Sequence, residues 1–240
     1  MKSRVWLLVI ASALAGCSFR NLGCGVPKPA EPAPSIESAQ GGRQAPVDSG
    51  FKIAFLGDSL TAGLGLLSDQ AFPALIGKLF EGEGYDSVEM LNGGVSGDTS
   101  AGGARRVSSL LEPGVRVLVV ALGANDALRG LSTRDTHDQL AQIIQIARGK
   151  GVTVMLCGME APPNLGDDYR DNFRDVFVQL VRENRGGLTL VPFLLEGVAG
   201  NPALNQADGI HPNQDGARVI AQALYPKLRT LVDQLGGGGG

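Results

Sequence analysis

Between residues 51 and 235 of this 240-residue chain, five short apolar runs alternate with amphipathic helical stripes. The runs are FKIAFL (51–56), VEML (88–91), VRVLVVAL (115–122), VTVMLC (152–157) and LTLVPF (188–193). Between them Phe72, Leu75, Ile76 and Leu79 recur at helical spacing, as do Leu140, Ile143, Ile144 and Ala147. Two further stripes follow, Tyr169-Phe173-Val176-Phe177-Leu180 and Ile220-Leu224-Leu228-Leu231-Leu235. Such alternation demands a parallel sheet, because parallel strands are joined by crossovers whose helices cover both faces. The unbroken apolar character of 115–122 marks a central strand, buried on both sides. The expected architecture is α/β, a three-layer α/β/α domain around a flavodoxin-like five-stranded parallel sheet.

Local signals agree with this frame. Ser132 and Asp135 form a helix-start pattern before the second stripe. Residues 99–113 read as a weaker helix, since Gly102 and Gly103 lower its propensity. Pro226 predicts a kink in the last helix. Composition permits a substantial core, at 43% hydrophobic and 19% charged residues. A net charge of −3 and 5% aromatics give no basic stripe or stacking platform, so no nucleic-acid partner is expected.

The ends read differently. Lys2 and Arg4 precede a ten-residue apolar stretch, Val5 to Leu14, too short to span a bilayer and suited to a signal peptide over residues 1–16. LAGC, Leu14 to Cys17, resembles a bacterial lipobox, which implies cleavage after Gly16 and a lipid on Cys17. Residues 17–50 then form a linker; five prolines fall in 25–50, giving a coil reach of roughly 30 Å. The expectation is an exported, membrane-anchored lipoprotein, at the outer membrane or periplasmic side if the host has two membranes, and a monomer. Gly236 to Gly240 read as a tail outside the fold. Three cysteines make no disulfide framework: Cys17 is the lipid site, Cys24 lies near it, and Cys157 ends an apolar run as a buried small hydrophobe.

In a parallel sheet of this type ligands bind beyond the C-terminal strand ends. The loops there offer Asp58 and Ser59, then Gly97 in NGGVSGDTS, Asn125 in GANDALRG, and Asp208 and His211 in ADGIHPN. Singly, each has a structural use. Ser59 suits a helix cap, Gly97 a positive φ, Asn125 a turn, and Asp208 with His211 a surface pair. Together they supply what acyl transfer requires: a hydroxyl, a base, an acid to orient the base, and donors for an oxyanion. Of the two histidines, His137 shares a helix stripe with Ile144, which leaves His211 as the base. Asp58 adjoins Ser59, but neighbouring side chains on a tight turn diverge, so it reads as structural, bonded to nearby backbone.

The blocks GDSL (57–60), SGD (96–98), GAND (123–126) and DGIHP (208–212) resemble, in order, those of the GDSL or SGNH hydrolases. The longer matches GDSLTAG, VSGDTSAGG, ALRG and DGIHPN are most similar to the thioesterase I, arylesterase and lysophospholipase L1 group. The resemblance implies the SGNH hydrolase fold, a Ser59–His211–Asp208 triad, and an oxyanion hole from the backbone N–H groups of Ser59 and Gly97 and the Asn125 amide. It implies small acyl ester, lysophospholipid or thioester substrates and no metal or organic cofactor. Ala124 departs from the pattern, in which a second glycine is common, and bears on the loop presenting Asn125. Removal of acetyl groups from cell-wall or other polysaccharides is the alternative in the same enzyme class. A non-catalytic phosphate- or nucleotide-binding module is the alternative outside it, although neither glycine-rich nucleotide motif appears at 51–66.

Overall fold

A computed structural model describes residues 50–237. The stretches read from the sequence as a signal peptide (1–16) and linker (17–50), with Cys17 and Cys24, lie outside the described residues up to residue 49, as do Gly238 to Gly240. Five strands, β1 (Phe51–Gly57), β2 (Val88–Gly94), β3 (Val115–Ala121), β4 (Thr153–Cys157) and β5 (Leu188–Val191), form one sheet in the order β2-β1-β3-β4-β5. Every pairing is parallel. The expected five-stranded three-layer sheet is therefore the observed one. Val117 to Ala121 are fully buried, as the unbroken apolar run required.

Helices α1 (Ser59–Ala62), α2 (Phe72–Gly82), α3 (Ser100–Leu110), α4 (Ala124–Leu128), α5 (Thr133–Gly149), α6 (Asp167–Glu183) and α7 (Gln214–Gln234) fill the connections. α2 packs with α7, and α3 with α5 and α6 with α5, giving the two outer layers. Edge-to-face ring pairs fill both interlayers: Phe55 with Phe72 at 5.8 Å, and Phe173 with Phe177 at 5.6 Å. None of the helices among the described residues is long and apolar enough to cross a membrane.

Some boundaries differ from the sequence reading for physical reasons. β2 runs to Gly94, three residues past its apolar run, because its backbone stays in register with Phe55 to Gly57 of β1. β5 stops at Val191, since Pro192 has no N–H to extend the ladder. α7 continues through Pro226 as one helix; the missing N–H leaves its assignment unbroken. Gly236 and Gly237 belong to the fold. Gly236 takes φ +77 and the Gly237 N–H donates to the Val232 carbonyl at 2.9 Å, closing α7 with a left-handed glycine cap.

The glycines of α3 reverse their propensity argument. A Cβ on Gly102 would overlap the Asp98 carboxylate, and one on Gly103 would overlap Leu122. Helix α3 thus gives up some propensity so that it can sit against the β2–α3 loop and the sheet. Gly94 is equally constrained, because a Cβ there would collide with the backbone of Thr61 and Ala62 in α1. We expect Gly94→Ala to lower unfolding free energy by about 2 kcal/mol or more, whereas Gly149→Ala, with open space around it, raises it by up to about 1 kcal/mol. Urea denaturation of the two variants reads both.

Candidate active site

The strand order reverses direction between β1 and β3, and the crevice beyond that switch point is where such sheets bind ligands. Ser59 follows β1 by two residues and Asn125 follows β3 by four. Asp58, not Ser59, caps α1: its Oδ1 accepts from the Leu60 N–H at 3.0 Å. Ser59 is the first residue of α1, so its own N–H has no partner within the helix.

The 205–212 loop brings the other groups to Ser59. Asn205 pairs with Pro212 in an antiparallel bridge, and the Gln206 N–H donates to the His211 carbonyl at 2.8 Å. The Gln206 side-chain amide donates to the Leu64 and Pro212 carbonyls, which joins this loop to the segment following α1. Asn213 caps α7 with its side-chain oxygen and donates to the Ala203 carbonyl. His211 Nε2 lies 2.9 Å from Ser59 Oγ, across 152 residues of sequence, and Nδ1 lies 2.7 Å from Asp208 Oδ2.

Chemistry assigns the protons. Asp208 Oδ1 accepts from the N–H groups of Ile210 and His211 at 2.9 and 3.0 Å. These bonds, the His211 backbone N–H first among them, bring the Asp208 carboxyl down to about 2. It is ionised at neutral pH and can only accept, so His211 Nδ1 carries the proton. Nε2 then faces the Ser59 hydroxyl with its lone pair, as a base requires.

Gly97 and Asn125 lie on the same cleft. Gly97 sits at φ +80 in a turn where the Asp98 N–H donates to the Val95 carbonyl, a position open to glycine. The positive φ agrees with the structural reading of Gly97, and the residue lines the cleft. Asn125 Nδ2 donates to Asp58 Oδ2 at 3.2 Å, leaving its second hydrogen for the cleft. Ala124 takes an ordinary helical place in α4; the conformational demand falls on Gly123, at φ +116, where a side chain would press on Phe173 and Phe177.

Several fixing residues were not singled out from the sequence. Arg106 donates from Nε to Asp98 at 2.7 Å, and from its two terminal nitrogens to the carbonyls of Gly93 and Gly57 at 2.6 and 2.8 Å. Arg129 donates to the Gly97 carbonyl at 2.8 Å. Asp126, buried, accepts from the Ser100 N–H and hydroxyl and from Thr136, tying α4 to α3 and α5. Asp126 and Arg129 lie inside the matched blocks GAND and ALRG, whereas Arg106 falls three residues past VSGDTSAGG and carries no sequence signal of its own.

The remaining candidates lie apart. His137 bridges Asp138 and Glu183 at 3.1 and 3.0 Å on the α5–α6 surface, with no serine beside it. Cys157 is buried at the end of β4, where burial pushes its thiol up to about 12. Among the described residues no three His, Cys, Asp or Glu side chains converge as a metal site.

The cleft that holds Ser59, Gly97, Asn125 and His211 has a volume of about 540 Å³. Its walls are largely apolar, with Leu64, Leu128, Met159, Phe193, Leu195 and Ile210, and no Lys or Arg lines it.

Residues 55–219 match the GDSL-like Lipase/Acylhydrolase family. The chain is 40% identical over 178 residues to the protein named Esterase TesA of Pseudomonas aeruginosa, covering 74% of this chain and 87% of that one. It is 34% identical over 182 residues to the Escherichia coli protein named Thioesterase 1/protease 1/lysophospholipase L1, covering 75% and 85%. The crystal structure of TesA superposes with a TM-score of 0.71 at 39% identity, covering 75% of this chain and 99% of that one.

The buried carboxyl of Asp58, beside Ser59, predicts a pH-dependent stability. Burial raises the Asp58 carboxyl to about 6, above its unfolded value near 4. Its folded form therefore holds the proton more tightly, so stability falls as pH rises from about 4 to about 6 and stays lower above that. The drop is of order 2–3 kcal/mol. Denaturation midpoints across this window should show that slope in the parent chain and a flatter one in Asp58→Asn.

Proposed function

The chain belongs to the GDSL-like lipase/acylhydrolase family, and from that premise we propose that it is a serine hydrolase cleaving acyl esters and thioesters through Ser59, His211 and Asp208. The observation that carries this reading is the continuous hydrogen-bonded series from Asp208 through His211 to Ser59 at the mouth of an apolar cleft. Ser59 Oγ attacks the acyl carbonyl while His211 Nε2 takes its proton. Asp208 holds Nδ1–H and stabilises the imidazolium that forms. The carbonyl oxygen, as it becomes an oxyanion, accepts from the N–H groups of Ser59 and Gly97 and the free hydrogen of the Asn125 amide. His211 then returns the proton to the departing alcohol or thiol. Water, activated by the same imidazole, releases the acyl group from Ser59.

The cleft supports acyl chains longer than acetyl. Its volume falls in the usual range for small-molecule sites, and its walls offer methylene-compatible surface rather than the polar groups a sugar would need. A phosphate cradle would need cationic or clustered backbone donors, and no Lys or Arg lines the cleft. The lipobox-like LAGC and the proline-bearing segment after it support a further element of the proposal: an exported lipoprotein acylated on Cys17 and held at a membrane, with the hydrolase domain starting near Phe51.

Two measurements test the catalytic reading. Ser59→Ala should lose p-nitrophenyl ester cleavage by about 10⁴-fold or more in kcat while its thermal unfolding is unchanged; retained activity contradicts it. Asn125→Ala should lose about 10²–10³-fold in kcat with KM little changed, as for a donor that acts on the transition state. Across p-nitrophenyl esters, kcat/KM should rise from acetyl to octanoyl; activity confined to acetyl would favour the deacetylase alternative.

A further inference from the structure

Six large apolar side chains are exposed among the described residues: Leu64, Leu67, Val95, Leu128, Leu131 and Ile210, each 40–67% accessible. Isolated exposed hydrophobics scattered over a surface mean little. These are not scattered. Leu64 and Leu67 lie on the β1–α2 connection, Val95 on β2–α3, Leu128 and Leu131 on β3–α5, and Ile210 on β5–α7. All of these connections leave the C-terminal ends of strands, so all six residues stand at the edge that carries Ser59. The outer helix faces and the opposite edge contribute none among the described residues.

Leu64, Leu128 and Ile210 also line the cleft, so the exposed rim continues directly into its apolar wall. Leu67, Val95 and Leu131 are exposed on the same edge without lining the cleft. The backbone beneath the rim is held rather than loose. Tyr169 donates to the Leu131 carbonyl at 2.7 Å, Gln206 to the Leu64 carbonyl at 2.7 Å, and the Val95 N–H to the Gly57 carbonyl at 3.0 Å.

We propose that this rim docks on a lipid surface with the cleft mouth facing it, so that an acyl chain passes from the lipid layer into the cleft without crossing water. This rests on the hydrolase reading above. A second copy of the chain on the rim would cover the mouth, whereas a lipid surface both covers the rim and supplies an acyl substrate. The six side chains are uncharged, so the surface need not be anionic. The chain outside the structure permits the orientation. Residues 18–50, between Cys17 and β1, could span up to about 110 Å when extended. They enter β1 at the edge opposite the mouth, and β1 itself is only about 23 Å long. A lipid on Cys17 can therefore hold the protein while the mouth faces the same membrane.

The test uses the full chain and the variant Leu67→Ser/Leu131→Ser, since neither residue lines the cleft. Each protein is assayed on soluble p-nitrophenyl butyrate and on a long-chain p-nitrophenyl ester carried in phosphatidylcholine vesicles, with vesicle co-sedimentation in a Cys17→Ala background. We expect butyrate turnover unchanged within about twofold, vesicle turnover and co-sedimentation reduced about tenfold, and both insensitive to salt. Equal vesicle turnover and co-sedimentation in parent and variant overturns the docking surface while butyrate cleavage still upholds the hydrolase. Equal losses on both substrates also overturn it, assigning the leucines to the fold or the cleft. A concentration-dependent dimer that the variant dissociates overturns it in favour of self-association. Absence of butyrate cleavage in the parent instead contradicts the hydrolase reading.

Discussion

One guanidinium sets the spacing on which the site depends. Arg106 reaches from α3 to the carbonyl at the end of β1, to a carbonyl at the end of β2, and to the carboxylate that follows Gly97. Where the strands of a parallel sheet stop, their carbonyls keep spare acceptor capacity, and a planar five-donor group reaches several of them at fixed angles. The same contact fixes the loop bearing the Ser59 N–H relative to the loop bearing the Gly97 N–H. Its demands spread outward. Asp98 must approach α3 closely enough that only glycine fits at position 102, and the neighbouring Gly103 admits Leu122. Two glycines that weaken a helix in isolation are thus the condition for holding its N-terminal half against the site.

The two acids nearest the reacting groups are separated by environment, not by type. Asp208 stands half in solvent, but two backbone N–H groups and the imidazole donate to it, and it stays ionised. Asp58 is 1% exposed and accepts from one backbone N–H and one side-chain amide, and burial dominates. The first can therefore orient and balance an imidazolium. The second acts as a cap and as the partner that aims the Asn125 amide. Sequence adjacency to Ser59 points to the wrong acid, because side chains on consecutive residues of a turn leave in different directions.

What the sequence made legible is what repeats or is local. Alternating apolar runs and helical stripes reveal the sheet, since burial on both faces leaves a mark at every strand. Asp208 and His211 are legible because three residues of one loop suffice to join them. Asp58 as a backbone-bonding residue was also readable, whereas its bond to Asn125, 67 residues away, was not. Helices α1 and α4 have four and five residues, too few to show a period, so they read as loops. Arg106, Gln206 and Asp126 act through contacts between distant segments that leave no periodic trace. The first glycines of the terminal run looked like a tail because composition hides that Gly236 is the left-handed cap of α7.

The central claim is that the Ser59 hydroxyl, and no other among the described residues, is activated for attack. Intact-mass and peptide mapping after exposure to a fluorophosphonate measures this directly. The account predicts one phosphonyl adduct per chain, carried by Ser59, with its rate of formation lost in His211→Ala. No adduct, or an adduct on any residue other than Ser59, would contradict it.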